Sequence, residues 1–502
     1  MQFKGTKSMQ KKRLNRLVNR VSQSALGALF LLSCGCVMIP DYEHPKTTLP
    51  DYGLEAENFK YDKGLWKSAS PADELPKGNW WSVFNDEVLN SLIETCDKNN
   101  PDIAAAFYNV ERLREAAFVS ESELYPHFHS SDYYMRDGRS ESFKPVPTGT
   151  YNSWVVGLGT TWDLDLFGRI QSIVIRDRAL VQASYNVYCN LMLSIHARIA
   201  AEYFYARQCE SELRLLNETL LVRKQQTSFV EKRMRLNFAS DLDLSRAKVL
   251  EYEAASQLDS VKRQLDASKN RIALLCGLSP SNFELKCEPL SDSMPKMPRA
   301  VPSQLLERRP DVAAAEREVY AANAQLGADI AAFFPTVSIT GDVGFKANKL
   351  ENLLQSSSLA WGISPQVYIP IFQAGKLYAQ KQSDLAAHKA ATEKYKSTVL
   401  KVIEEIETLL SDISNMENEY ENRKKTSSYS LNVQSYTQKQ YELGDQDYFA
   451  VSDAQRQYLL YKRGEIRLLG ARYRSCVSLI MSLGGGWKNE YENPKAFELT
   501  KL

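Results

Sequence analysis

Asn100-Pro101-Asp102-Ile103-Ala104-Ala105-Ala106 returns 209 residues later as Arg309-Pro310-Asp311-Val312-Ala313-Ala314-Ala315. The same offset carries Tyr125-Pro126 onto Phe334-Pro335. An offset of 207 carries Trp154 onto Trp361, Gly168 onto Gly375, Ser245-x-Ala247 onto Ser452-x-Ala454 and Gly277 onto Gly484. Self-similarity at a fixed period marks a duplicated structural unit. The 502 residues therefore read as two copies of one motif, expected over 86–290 and 304–486, with a linker at 291–303 and a tail at 487–502.

Punctuation inside each copy selects helix. Lys376 to Leu443 is 68 residues without Gly or Pro, and its counterpart Arg169–Leu236 has the same length. Helix interiors exclude those two residue types, and Gly444 and Asn237, which follow, are the kinds of residue that end a helix in the left-handed conformation. Such a run makes a rod of about 100 Å. Val399, Val402, Ile403, Ile406, Leu410 and Ile413 recur at three- and four-residue steps among Lys401, Glu404, Glu405 and Glu407, and Met192, Ile195, Ile199 and Tyr203 do the same in the first copy. That spacing predicts a packing seam of coiled-coil character. Returning helices are expected over 240–276 and 447–483, and shorter ones over 87–123 and 304–333.

Between the short helix and the rod each copy alternates with period two. Trp154, Val156, Leu158, Trp162 and Leu164 oppose Ser153, Gly157, Gly159, Thr161 and Asp163 within Ser153–Leu166. Trp361, Ile363, Val367, Ile369 and Ile371 oppose Gly362, Ser364, Gln366 and Tyr368, and weaker strands are expected at His127–Met135 and Val337–Phe345. Such alternation over about ten residues fits strands of a membrane barrel; half-buried hairpins of a soluble domain would share it. Four strands cannot close, because the smallest membrane barrels have about eight, and an open edge in lipid strands its N–H and C=O groups. A cyclic homotrimer giving twelve strands is the simplest closed solution. Four helical legs per chain would then make a tube of twelve, with 137–150 and 346–358 as outer loops and the far ends of the rods about 100 Å away.

The amino terminus favours the membrane. Residues 1–33 carry Lys4, Lys7, Lys11, Lys12, Arg13, Arg16 and Arg20 and no acid, and the apolar run Ala25–Leu32 follows. This is the layout of an export signal, here 1–35, and it is too short to span a bilayer. Leu31-Leu32-Ser33-Cys34-Gly35-Cys36 resembles the lipobox of bacterial lipoproteins, with Cys34 and Cys36 as alternative sites of lipid attachment. A linker is expected over 36–85. Downstream of residue 36 no run of eighteen apolar residues exists, so no spanning helix is expected there.

Composition excludes other classes. The 62 basic and 61 acidic residues leave a formal charge of +1, which argues against a nucleic-acid partner. Cys96, Cys189, Cys209, Cys276, Cys287 and Cys476 are scattered without a C-x-x-C pair and read as buried thiols, although an oxidising compartment leaves a Cys276–Cys287 disulfide open. His127 and His129 would share a strand face, as a metal-binding pair or, without a carboxylate cluster, as residues of a barrel lumen or rim. No P-loop and no nucleophile elbow is present, so neither an enzyme nor a cofactor is expected.

Several further segments carry a resemblance: Cys36-x-x-Ile39-Pro40-Asp41-Tyr42, Trp80-Trp81-x-x-Phe84-x-Asp86, Trp162-Asp163-Leu164-Asp165-Leu166-Phe167-Gly168, Glu307-Arg308-Arg309-Pro310-Asp311-Val312, Phe333-Phe334-Pro335 and Asp453-Ala454-Gln455-Arg456. In this order and spacing the chain resembles the TolC-like outer-membrane factors, in particular the lipoprotein branch typified by OprM and NodT. The resemblance implies an α+β membrane protein, a trimeric twelve-stranded outer-membrane β-barrel continuous with a periplasmic α-helical barrel, surrounded by an equatorial belt from 277–303 and the tail. It implies a passive exit duct for drugs and small toxic compounds, joined to an inner-membrane pump through a periplasmic adaptor. Asp453 and Arg456 match the family positions that close the periplasmic mouth, and an Asp–Arg pair along one helix is their plainer reading. Asp445 and Asp447 would repeat around a ring at that mouth and favour cations. Asn237, Phe238, Ser240, Gly444 and Tyr448, at the hairpin tips, are the candidates for adaptor docking. A duct for protein secretion and a periplasmic coiled-coil scaffold are the competing readings.

Overall fold

In a computed structural model the described residues are 38–42, 79–139, 149–292, 294 and 309–485. The signal segment, Cys34 and Cys36, most of the 36–85 and 291–303 linkers and the 487–502 tail lie outside them. The elements are α1 (Glu87–Asn99), α2 (Pro101–Ser122), β1 (His127–Ser130), β2 (Tyr133–Arg139), β3 (Gly149–Leu164), α3 (Arg169–Arg235), α4 (Asp241–Leu275), α5 (Pro310–Ala331), β4 (Thr336–Ala347), β5 (Leu359–Tyr368), α6 (Lys376–Leu443) and α7 (Tyr448–Ser482). The chain divides into two compact units, and the strands all fall in the one that holds 110–184 and 315–395.

That unit is built on one antiparallel sheet ordered β1–β3–β4–β5, with β2 also paired to β3. The expected strand 127–135 is split. At the split Asp132 replaces a backbone partner: its carboxylate accepts the Gly157 N–H at 3.2 Å, while the Ser131 N–H donates to the Gly157 carbonyl at 2.8 Å. Register nevertheless runs through, from His127 opposite Thr161 to Tyr133 opposite Val155. The last strand also differs from expectation, since Ile369 and Ile371 lie beyond β5. Pro370 has no N–H with which to extend a ladder. Pro365 is tolerated inside β5, which among the described residues pairs with β4 alone. The expected outer loops 137–150 and 346–358 shorten, because β2 reaches Arg139, β3 begins at Gly149 and β4 runs to Ala347.

The segment 38–42 lies along α5 in the same unit. Asn323 donates its side-chain amide to the Pro40 carbonyl at 3.0 Å, and Tyr42 donates its hydroxyl to Glu316 at 3.3 Å, with its ring edge-on to Tyr320. Gly327 makes the approach possible, since a Cβ there would stand 2.9 Å from the Ile39 Cα. The Ile-Pro-Asp-Tyr signal in the sequence is thus a strap fitted to one helix.

In the other unit the expected helix 87–123 is two helices. Asn100 precedes Pro101 and takes an extended conformation (ψ 119°), as a residue before proline does, and its Oδ1 accepts the N–H groups of Asp102 and Ile103 at 2.8 and 3.0 Å. Its Nδ2 donates to the Leu275 carbonyl at the end of α4, 2.7 Å away. At the equivalent place in the second copy Arg309 donates its guanidinium to the Ser482 carbonyl at the end of α7, 2.9 Å away, while pairing with Asp311 and Glu405. Two different side chains satisfy the last carbonyls of α4 and α7, which lie 207 residues apart in the chain.

Asp86 explains the tryptophan-rich motif. It caps α1 by accepting from Val88 and Leu89 N–H groups, and it also accepts from the Tyr203 hydroxyl at 2.9 Å and Arg207 at 2.7 Å. Burial, then the Asp86 charge, pushes the Tyr203 hydroxyl pKa upward. Trp80, Trp81, Leu89 and Ile93 pack with Ile199, Phe204 and Tyr473 in the main core. Glu212 on α3 is nearly inaccessible and receives Arg463 and Arg467 of α7 at 2.9 and 3.1 Å. Such a buried acid is tolerable only because it is paired and hydrogen-bonded.

Candidate functional site: the hairpin tips and the sheet faces

Both hairpin tips are made by helix-end chemistry. Asn237 closes α3 with φ 61°, its N–H donating to the Met234 carbonyl at 2.9 Å and the Phe238 N–H to Arg233 at 2.8 Å. Gly444 closes α6 at φ 91°, and the Asp445 N–H donates to Gln440 at 2.9 Å. These are paired helix-end bonds around a left-handed residue. Ser240 then opens α4 through a reciprocal capping box with Asp243, and Asp447 caps α7 by accepting from the Ala450 N–H at 3.0 Å. Ser240 and Asp447 are therefore committed to structure, as is the left-handed backbone at Asn237 and Gly444.

A small core binds the two tips together. Val230, Ala247, Tyr441, Tyr448 and Val451 are buried there, the Tyr441 and Tyr448 rings lie 5.4 Å apart edge-on, and Arg233 covers Tyr441 at 5.1 Å. Tyr448 was expected as a docking residue, but it is only 3% exposed. Its ring points inward because α7 starts with an apolar face against α6, so it supports the tip and presents nothing to a partner. Phe238 is the opposite case at 71% exposure, and Leu236, Leu242, Leu443 and Phe449 are exposed beside it or on the second tip.

The two residues expected at a periplasmic mouth part company. Asp453 and Arg456 are both exposed on α7, and the expected Asp–Arg pair along that helix is replaced by a contact of Arg456 with Glu253 of α4 at 4.0 Å. Beneath it Arg223 of α3 is buried; it donates to the Leu250 carbonyl, and burial lowers its pKa although Glu253 opposes the shift. Asp453 lines a cavity of about 680 Å³ between α6 and α7 with Tyr429, Val433, Phe449 and Tyr461. Sequence reading missed Glu253 and Arg223. Each is one charged residue on a long amphipathic helix, without a motif to single it out.

The sheet separates two surfaces by register. Val156, Phe345 and Leu359 form one row, Leu158, Val343 and Trp361 the next, and Leu164, Val337 and Val367 another. Trp361, Ile363 and Val367 are largely exposed on this face. The opposite face carries Gly159, Asp342 and Gly362, then Thr161, Thr340 and Ser364, then Asp163, Ser338 and Gln366. His127 and His129 lie on this polar face, opposite Thr161 and Gly159, with the His129 ring over Gly159. His127 approaches Glu123 at 3.5 Å, and no metal-holding group of three or more acids, histidines or cysteines occurs among the described residues. Cys276 and Cys287 are free thiols, so the disulfide left open by spacing is absent. The Cys276 thiol instead donates to the Leu92 carbonyl.

A family model described as outer membrane efflux protein matches residues 92–278 and again 301–485. The solvent efflux pump outer membrane protein SrpC of Pseudomonas putida is 30% identical over 473 residues, which is 92% of this chain and 97% of that one. The cation efflux system protein CusC of Escherichia coli strain CFT073 is 27% identical over 459 residues, 90% and 96% of the two chains. The solved outer-membrane channel OprN superposes with a TM-score of 0.82 at 26% identity, covering 90% of this chain and 100% of its own. With both of its halves matched by that model, the chain belongs to the outer membrane efflux protein family.

Proposed function

We propose that three copies of this chain form a passive exit duct in the bacterial outer membrane, through which a periplasmic adaptor and an inner-membrane pump expel small toxic compounds. The observation that carries this reading is the sheet. It exposes rows of large apolar side chains on one face and small polar ones on the other, and the described residues leave it with two unpaired edges. Such a surface is stable in lipid only when the edges are closed. Symmetric copies supply the missing strands, and α3, α4, α6 and α7 line the periplasmic passage.

Phe238 and its apolar neighbours at the two tips offer the docking surface for the adaptor, on a backbone fixed by Asn237, Ser240 and Gly444. Arg456, through Glu253, governs the mouth together with Asp453 and Asp445, while Asp447 serves α7 as its cap. Acylation at Cys34 or Cys36 anchors the mature amino terminus. The efflux role is favoured over protein export because the relatives are named for solvent and cation efflux. Planar-bilayer recording of the purified protein tests the reading: discrete conductance steps are expected, and its deletion is expected to raise susceptibility to small toxicants. Protein without conductance, in a strain of unchanged susceptibility, would overturn it.

A further inference from the structure

We propose that Arg136, with Asn152 beside it, holds a phosphate of the anionic glycolipid that forms the outer leaflet of the bacterial outer membrane. The inference rests on the barrel reading and assigns a ligand to its lipid-facing surface. Among the described side chains of the five strands, register places the charges of Asp137, Asp163, Asp342 and Lys346 on the polar face. Arg136 is the one exception. It follows Tyr134 by two residues and stands opposite Asn152, on the face of Trp154 and the apolar rows.

Depth decides what such a charge can meet. A charged side chain on the lipid face of a barrel is costly at the bilayer midplane and tolerated near the interface. The apolar face of β3 runs from Leu164 to Trp154, ten residue steps. At about 3.3 Å per residue and a tilt of about 40°, this is about 25 Å, the height of the apolar band of an outer-membrane barrel. Arg136 and Asn152 lie one row further, about 5 Å past the band, at the level of lipid headgroups. Helices α2, α3, α5 and α6 all join the strands at the opposite end. With the helices in the periplasm, the Arg136 end faces outward.

Local chemistry favours an anion there. The Tyr134 hydroxyl donates to Asn152 Oδ1 at 3.0 Å, which leaves the Asn152 amide N–H groups for a ligand. The Tyr134 and Trp154 rings, 4.4 Å apart, form an aromatic row just beneath, as at a membrane interface. Asp137, next to Arg136 in sequence, lies on the other face and accepts from the Tyr151 hydroxyl at 2.7 Å. Past the end of β4, Lys349 has its own acid in Glu351 at 3.4 Å. Arg136 is exposed, and a guanidinium fork matches the oxygens of a phosphate. The apolar face thus offers a cation and an amide with no carboxylate, which suits a phosphorylated glycolipid better than a zwitterionic phospholipid.

Native mass spectrometry of the full-length protein released from nanodiscs reads the lipid carried by each particle. The discs hold phosphatidylethanolamine with bisphosphorylated lipid A, with dephosphorylated lipid A or with phosphatidylglycerol. Wild-type trimers should retain bisphosphorylated lipid A and lose the other two. Arg136→Gln should lower that retention by about tenfold and Asn152→Ala by about threefold, whereas Lys346→Gln, on the polar face, should leave it unchanged. Retention within about twofold of wild type in Arg136→Gln trimers, or equal retention of dephosphorylated lipid A by wild type, overturns the site; the second comparison needs no variant to fold. Phosphatidylglycerol held as well as lipid A overturns the assignment to the glycolipid. A particle that is monomeric or fails to enter the discs overturns the membrane reading itself, a result distinct from a trimer that ignores the phosphate.

Discussion

Replacing Asp86 by Ala should loosen the whole first turn of α1. The carboxylate caps two backbone N–H groups and holds Tyr203 and Arg207, and both Asp86 and Arg207 are largely shielded from water. Losing the cap costs about 1 kcal/mol. Leaving the Tyr203 hydroxyl and a shielded guanidinium short of an acceptor adds about 2–3 kcal/mol, tempered by the Glu288 and Pro289 carbonyls that Arg207 retains at 3.0 and 2.9 Å. The sum is about 3–4 kcal/mol, or hundreds-fold faster local opening at about 1.4 kcal/mol per decade. Hydrogen exchange of peptides covering 86–99 in the detergent-solubilised protein reads this directly. Asp86→Asn keeps an acceptor for the cap and the hydroxyl and loses only the charge, so its effect should be about tenfold. Equal rates for the two variants, or a rate within about threefold of wild type for Asp86→Ala, would refute the reasoning.

Four further outcomes are expected. Tyr448→Ala should destabilise the paired tips by about 3–5 kcal/mol, seen as accelerated proteolysis near 230–250 and 441–451, whereas Phe238→Ala should leave stability unchanged and weaken adaptor binding. Glu253→Gln should raise resting conductance in planar bilayers at little cost in stability, because the Arg456 contact is long and exposed; unchanged conductance would remove it from the gate. Burial, with the hydrogen bond and charge of Asp384, raises the Asp329 carboxyl to about 7. The native state then holds a proton that the unfolded chain has released, so stability falls as pH rises from about 4 to about 7, by about 1–2 kcal/mol after screening. Asp329→Asn should flatten the dependence of the thermal midpoint on pH across that window, and an unchanged slope would sink the assignment. Finally, burial pushes the Cys96 and Cys476 thiols to about 12 and those of Cys209 and Cys276 to about 11, so iodoacetamide at neutral pH should label these four only after denaturation.

The long helices were legible almost to the residue. The expected rods 169–236 and 376–443 correspond to Arg169–Arg235 and Lys376–Leu443, because absence of Gly and Pro and a left-handed terminator are purely local signals. Strand limits were less so. Whether Asp132 lends its side chain to a ladder depends on where Gly157 lies, and that is a tertiary fact. The places of the two turns are local signals as well, but the burial of Tyr448 is not, since proximity to a turn does not fix which way the first helical turn faces. Glu253 was invisible for a related reason. Its meeting with Arg456 is set by the rotation of α4 relative to α7, about which neither local sequence carries information.

The unlike clamps at Asn100 and Arg309 have an evolutionary consequence. A short amide reaches the end of α4, while a long guanidinium reaches the end of α7 and takes in Glu405 on the way. Each half is fitted to its own surroundings, so a chimera carrying the first half twice would arrive without the guanidinium that the Ser482 carbonyl and Glu405 receive.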